Sequence, residues 1–154
     1  MPIIEFPPLD VADEQGLLAV GGDLHQESLL LAYKNGIFPW PISEEYPLAW
    51  FSPAQRGIIK RSDIIISRSL KKFIKKCKWL ISFNTDFHGV ISECQKVHEQ
   101  SSDGTWITDE IINGYENFFQ HGYAFCCEIR NESSELIAGL YGVRIGKFLS
   151  GESM

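Results

Sequence analysis

The chain is expected to be a mixed α/β (α+β) protein, and three observations say so. Apolar residues recur at helical spacing in four stretches before residue 122. After Gly122 they shorten into strand-length runs rich in β-branched and aromatic residues. Two of those runs are joined by the polar turn Asn131-Glu132-Ser133-Ser134, the mark of an antiparallel meander.

Residues 1–22 read as loop and short extended pieces ending in Gly21-Gly22. A helix is expected from about Asp23, an N-cap with Gln26 three residues on, to Gly36. The segments Phe38-Pro39-Trp40-Pro41 and Trp50-Phe51-Ser52-Pro53 read as bulky loops, because proline is excluded from helix interiors and central strands. Residues 68–78 read as a helix with Leu70, Phe73, Ile74 and Cys77 as its buried stripe. Trp79–Phe83 follows as a short strand. Phe87, Val90, Ile91, Cys94 and Val97 mark another helix, and Thr108 caps a last one carrying Ile111, Ile112, Tyr115, Phe118 and Phe119. Tyr123–Arg130 and Leu136–Val143 are the meander strands, and the turn Arg144-Ile145-Gly146-Lys147 leads to Phe148-Leu149. An apolar strand followed directly by the end of the chain leaves an edge that proteins normally cover. The isolated chain is therefore expected to be marginally stable or to associate.

The 154 residues carry a net charge of −6, which argues mildly against a nucleic-acid partner. The distribution argues for one. Lys60, Arg61, Arg68, Lys71, Lys72, Lys75, Lys76 and Lys78 make up more than half of the 14 basic residues, with only Asp63 opposing them. A single-signed run in an acidic chain points to a polyanion, with a solvated helix face as the blander reading. The four cysteines, Cys77, Cys94, Cys126 and Cys127, and the scattered His25, His88, His98 and His121 form no metal-ligand set. They read as reduced, structural thiols and ordinary histidines. The N-terminus lacks a basic region followed by an apolar run, and no stretch has membrane-span length, so a cytoplasmic location is expected.

Individual residues leave alternatives open. Trp40 and Trp106, beside Phe38-Pro39 and Gly104-Thr105, can stack on a base or plug a core edge. Glu152 can orient an amine or take a proton, or be an exposed end-of-strand acid. There is no Ser-His-Asp arrangement and no G-x-x-x-x-G-K-[ST] phosphate loop.

Seven segments in order go further: Gly16-Leu17-Leu18-Ala19-Val20-Gly21-Gly22-Asp23-Leu24, Ala32-Tyr33-Lys34-Asn35-Gly36-Ile37-Phe38-Pro39-Trp40, Trp50-Phe51-Ser52-Pro53, Ser67-Arg68-Ser69-Leu70-Lys71-Lys72-Phe73, Gly104-Thr105-Trp106-Ile107-Thr108, Gly139-Leu140-Tyr141-Gly142-Val143 and Gly151-Glu152-Ser153-Met154. Together they resemble the leucyl/phenylalanyl-tRNA–protein transferase family. The resemblance implies a small N-terminal α/β domain, residues 1–62, and a GNAT-like acyltransferase domain that begins at residue 63 and is incomplete at 154. It implies transfer of Leu, Phe or Met from aminoacyl-tRNA to the N-terminal Arg or Lys of acceptor proteins, which marks them for degradation. No metal, coenzyme A or other cofactor is implied, and the full-length protein would be a monomer.

By this resemblance Trp40 and Trp106 engage the 3′ adenosine and aminoacyl group. Leu140, Leu149 and Met154 line an apolar pocket for the Leu or Phe side chain, and Glu152 sits at its polar rim as the catalytic candidate. Arg68, Lys71, Lys72, Lys75 and Lys76 hold tRNA phosphates. The family's Asp-x-Gln motif has no match in this chain. The chain is therefore expected to be a truncated, inactive or feeble transferase. The alternatives are a non-catalytic tRNA-binding module and, last, an acyltransferase using coenzyme A, for which Arg144-Ile145-Gly146-Lys147 is a poor pyrophosphate loop.

Overall fold

A computed structural model of the chain describes residues 1–43, 46–100 and 104–154. The architecture is mixed, with helices and two antiparallel sheets. After a 3-10 turn at Leu9–Val11 come β1 (Leu17–Val20), α1 (Gln26–Lys34), β2 (Phe38–Pro39) and β3 (Ala49–Phe51). A second 3-10 turn at Arg61–Asp63 leads to α2 (Arg68–Lys76), β4 (Leu80–Phe83), α3 (Phe87–Glu99) and α4 (Asp109–Gln120). The meander β5 (Ala124–Arg130), β6 (Leu136–Ile145) and β7 (Phe148–Ser153) follows. The small sheet has the order β1-β3-β2 and the large one β4-β5-β6-β7.

The segments expected as loops around Trp40 and Trp50 are in fact the small sheet. Proline is still obeyed there: Pro39 ends edge strand β2, and Pro53 lies beyond the end of central strand β3. Asp23 is not the N-cap of α1. It sits two residues earlier, where its Oδ1 accepts the His25 N–H at 3.1 Å and the buried Ser28 hydroxyl at 2.6 Å. The chain leaves α1 through Gly36 at positive φ, as its sequence position implies. Thr108 caps α4 as expected, accepting from Ile111 N–H at 3.3 Å.

The largest difference concerns α2. It forms where its sequence places it, capped by Ser67, but it buries none of its residues. Leu70, Phe73 and Ile74 are about half exposed, and Phe73 meets the neighbouring Trp79 edge-on at 5.1 Å. Periodicity fixes which side of a helix is apolar and says nothing about what covers that side. Val97, at the end of the α3 stripe, is also exposed.

Helices α3 and α4 cover one face of the large sheet. One apolar cluster runs from Leu18, Leu29 and Trp50 through Ile91, Ile111 and Phe118 to Tyr141 and Val143, so both sheets share a core. Burying each such large side chain is worth about 1.5–3 kcal/mol. Close approach explains Gly114: a Cβ on it would lie 2.7 Å from the Leu24 side chain, so only glycine lets α4 meet the segment leading into α1. The opposite face of the large sheet is open. Ile81, Phe83 and Leu149 are more than half exposed there.

Candidate functional site

Trp40 follows β2 directly and its N–H donates to the Ala49 carbonyl, which fixes it to the small sheet. Trp106 sits in the turn before α4, where its carbonyl accepts from the Thr108 N–H at 3.1 Å. These two anchors bring the indoles together with centroids 4.9 Å apart and planes 18° from parallel. The pair is therefore a closed stack with no room for a third ring inside, since each aromatic layer needs about 3.5 Å. Trp40 leaves 43% of its surface exposed, so the stack offers an outer face. Beside it opens a cleft of about 490 Å³ between the segment after Trp40 and the ends of α3 and α4, lined by Ile42, Tyr46, Gln95, Glu99, Asp109 and Glu110 among others.

Glu152 lies on the helix-covered face of the large sheet. Tyr115 of α4 donates to its Oε2 at 3.5 Å, and the Tyr115 hydroxyl in turn shares a hydrogen bond with that of Tyr33 in α1. Its other oxygen, Oε1, is shielded from solvent and has no hydrogen-bond partner among the described residues; nor has the buried hydroxyl of Tyr141. Burial raises the Glu152 carboxyl, against the opposing pull of the Ser150, Tyr33 and Tyr115 hydroxyls and of the Arg56 charge. Burial, then mutual repulsion with Glu152, drives the Tyr141 phenol far above its ordinary range, and Tyr33 and Tyr115 rise chiefly for the first reason. Burial in the cluster thus disfavours negative charge on all four groups. Arg56 is close by: it donates to the Gly36 carbonyl at 3.1 Å and lies over the Phe38 ring.

Leu140 and Leu149 occupy the open face of the sheet. Between them lies the rung Gly142–Gly151, and the register carries Met154 toward Leu140 one rung beyond Tyr141–Ser153. The two glycines between Leu140 and Leu149 leave a shallow trough in the sheet surface, into which the Phe125 ring reaches over Gly142. The Gly142 position is forced, because a Cβ there would come within 2.1 Å of the Ser150 carbonyl oxygen. Met154 also borders a groove of about 370 Å³ with Val90, Cys94 and Val97 of α3. Arg68, Lys71, Lys72, Lys75 and Lys76 are all exposed on α2, and among the described residues none of them forms an ion pair; Lys78 alone of that run pairs, with Glu132.

The structure thus brings Trp40 to Trp106 and sets Leu140 and Leu149 on one face, separated by the Gly142–Gly151 rung, while Glu152 faces the other side of the sheet from the trough. The tyrosine cluster around Glu152 was not legible beforehand. Tyr33 and Tyr115 sit at helical positions that read as plain core, and only a fold juxtaposes their hydroxyls. Among the described residues no three His, Cys, Asp or Glu side chains are grouped to hold a metal, and no helix is long and apolar enough to cross a membrane.

Comparison with known proteins shows the family. A family profile described as leucyl/phenylalanyl-tRNA protein transferase matches residues 58–154, and the N-terminal domain profile of the same family matches residues 22–54. A protein named leucyl/phenylalanyl-tRNA–protein transferase from Flavobacterium johnsoniae is 41% identical over 149 residues, covering 97% of this chain and 69% of its own length. Proteins of that name from Pseudomonas entomophila and Shewanella baltica are 43% and 46% identical, covering 98% and 96% of this chain and 66% and 61% of theirs. The chain thus spans about two thirds of the length of these relatives. With profiles matched in order over most of its length, the chain belongs to the leucyl/phenylalanyl-tRNA–protein transferase family.

Proposed function

We propose that this member of the family transfers Leu, Phe or Met from aminoacyl-tRNA to the N-terminal Arg or Lys of acceptor proteins. The observation that carries this reading is the Trp40–Trp106 stack, set by two separate anchors beside an open cleft in a chain of this family. The terminal adenine stacks on the outer face of Trp40, a contact worth about 1–3 kcal/mol. The aminoacyl side chain lies in the trough of Leu140, Leu149 and Met154, which selects by burial and so tolerates several apolar residues. Arg68, Lys71, Lys72, Lys75 and Lys76 hold acceptor-stem phosphates without sequence readout. The ester is already activated, so holding it beside an α-amine supplies much of the acceleration. Glu152 and its tyrosines support that site from below, under the strand that carries the trough. The reaction needs neither metal nor cofactor, and the setting is the cytoplasm.

The test has two arms. Chain 1–154 and its relative-length counterpart are assayed for transfer from charged tRNA to an Arg-initiated peptide, and both are titrated with tRNA over a salt series. Changing Lys71, Lys72, Lys75 and Lys76 to Glu should lower the salt slope by about 0.7–0.9 for each lost contact. Unchanged affinity and slope would remove α2 from the interface. Binding by residues 1–154 without transfer favours the second reading, a tRNA-binding module; the exposed and unpaired lysines of α2 support binding in either case.

A further inference from the structure

β7 departs from regular pairing at Glu152. Gly151 pairs with Gly142 and Ser153 with Tyr141, which leaves Glu152 as the extra residue of a β-bulge. Such a bulge sets two consecutive residues against one. Here it puts both Glu152 and Ser153 against Tyr141, on the helix-covered face. Glu152 reaches Tyr115. Ser153 reaches His98 in the last turn of α3, Oγ to Nε2 2.9 Å, and lies beside the Cys94 thiol one turn earlier. Among the described residues β7 is hydrogen-bonded to a neighbour on one side only. A bulge in an edge strand has no second ladder to hold it, so its conformation depends on side chains.

We propose that His98 is a positioning residue, whose hydrogen bond to Ser153 pins the bulge so that Glu152 points at Tyr115 and Tyr33. The proposal rests on reading Glu152 as part of the functional site. His98, with the Cys94 thiol beside it, meets Ser153 from α3, and the His98–Ser153 bond at 2.9 Å ties the helix to β7 at this point. The groups facing Glu152 are Tyr115 from α4, Tyr33 from α1, Tyr141 from β6 and Ser150 from its own strand, with the Arg56 charge beyond. Without the tie the bulge relaxes toward solvent, the carboxylate hydrates, and it loses its two tyrosine partners.

The experiment follows the Glu152 carboxyl resonance in chain 1–154 labelled with ¹³C-glutamate, assigned by its loss in Glu152→Gln, across a pH titration. In the unaltered chain its midpoint lies above the usual carboxylate range. His98→Ala and Ser153→Ala each move it down, and the double variant moves it no further than either. His98→Gln, whose side-chain amide reaches the same place, keeps the original midpoint. A merely structural histidine would change the melting temperature in these variants and the midpoint in none. A folded His98→Ala or Ser153→Ala with an unmoved midpoint overturns the proposal, as does an original midpoint in the ordinary range. Should His98→Ala fail to fold, Ser153→Ala, which removes one oxygen atom, decides alone. A non-hydrolysable 3′-phenylalanylamido adenosine serves as second probe and should bind His98→Ala roughly tenfold more weakly, with recovery in His98→Gln. If the unaltered chain ignores that probe while the midpoints shift as stated, the functional reading fails and the pinned bulge stands. If the probe binds and no midpoint moves, the bulge proposal fails instead.

Discussion

Two carboxylates lie on the same helix-covered face of the large sheet and are held in opposite ways. Glu128 of β5 is fully buried. It accepts from the Ser82 hydroxyl at 2.7 Å, the Thr85 N–H at 2.9 Å and hydroxyl at 3.1 Å, the Asp86 N–H at 3.0 Å and the Cys126 thiol at 2.9 Å. Burial alone would raise its pKa, but the bonds from Cys126, Ser82 and the Asp86 and Thr85 backbone outweigh that and lower it to about 2. Glu152 has one long bond to Tyr115 and a buried oxygen with no partner among the described residues, and its pKa goes up. Donor supply sets the direction: short bonds from several donors outweigh burial at Glu128, and the weaker pull of the hydroxyls around Glu152 does not. The first fastens the fold. It stitches β5 to the β4–α3 turn, where Asn84 adopts positive φ and accepts the Cys126 N–H, and where Asp86 caps α3 and pairs with Arg130. The second is left capable of exchanging a proton.

The largest effect should come from Glu128→Leu. It orphans two backbone N–H groups that cannot turn away, each costing about 1–3 kcal/mol, and the total should approach or exceed 3 kcal/mol. Glu128→Gln should cost less, about 1–2 kcal/mol, because its amide oxygen keeps the two backbone bonds while the Ser82 and Thr85 hydroxyls rotate to accept from its amide nitrogen. Urea unfolding measures both. Equal losses for the two variants would show that volume, not donor saturation, sets the role of Glu128.

The Thr108 cap, the Gly36 stop and the meander strands were legible because their signals are local, whereas the Asp23 cap and the short strands of the small sheet were misplaced. Thr108 precedes the apolar stripe it caps, and Gly36 follows the one it ends. The Glu128 knot was invisible because its partners in the β4–α3 turn lie 42 to 46 residues away. The indole pair was named from resemblance, but a closed stack rather than a cage is a matter of tertiary packing. The α2 stripe shows the converse limit, a strong local pattern whose burial depends on a surface that the local sequence does not contain.

The two carboxylates should also split the pH dependence of stability. Glu128 has a folded pKa of about 2, below its ordinary 4.5, so its contribution is complete above 4.5 and is lost as pH falls toward about 2. Glu152 has the opposite sign. Its folded pKa is raised, so the folded state holds a proton that the unfolded state has released, and stability rises as pH falls through the window just above the ordinary carboxylate value. Acidification from neutrality should therefore first stabilise the chain and then destabilise it. Glu128→Gln should flatten the lower limb only. A melting temperature that falls monotonically from neutrality would break the assignment of opposite signs.

The smallest stability effect belongs to Glu152→Gln, and its smallness is the informative part. A neutral amide keeps the shape of a side chain whose charged form burial disfavours. At neutral pH it removes the cost of an under-supplied charge, so stability should change by less than about 1 kcal/mol, or increase. The upper limb of the pH curve should vanish, because the group that titrates there is gone. Glutamine can still accept from Tyr115, yet it can neither take up nor release a proton. A loss of several kcal/mol in this variant would mean that Glu152 is ionised and well supplied in the folded chain, as Glu128 is, and the contrast between the two sites would be lost.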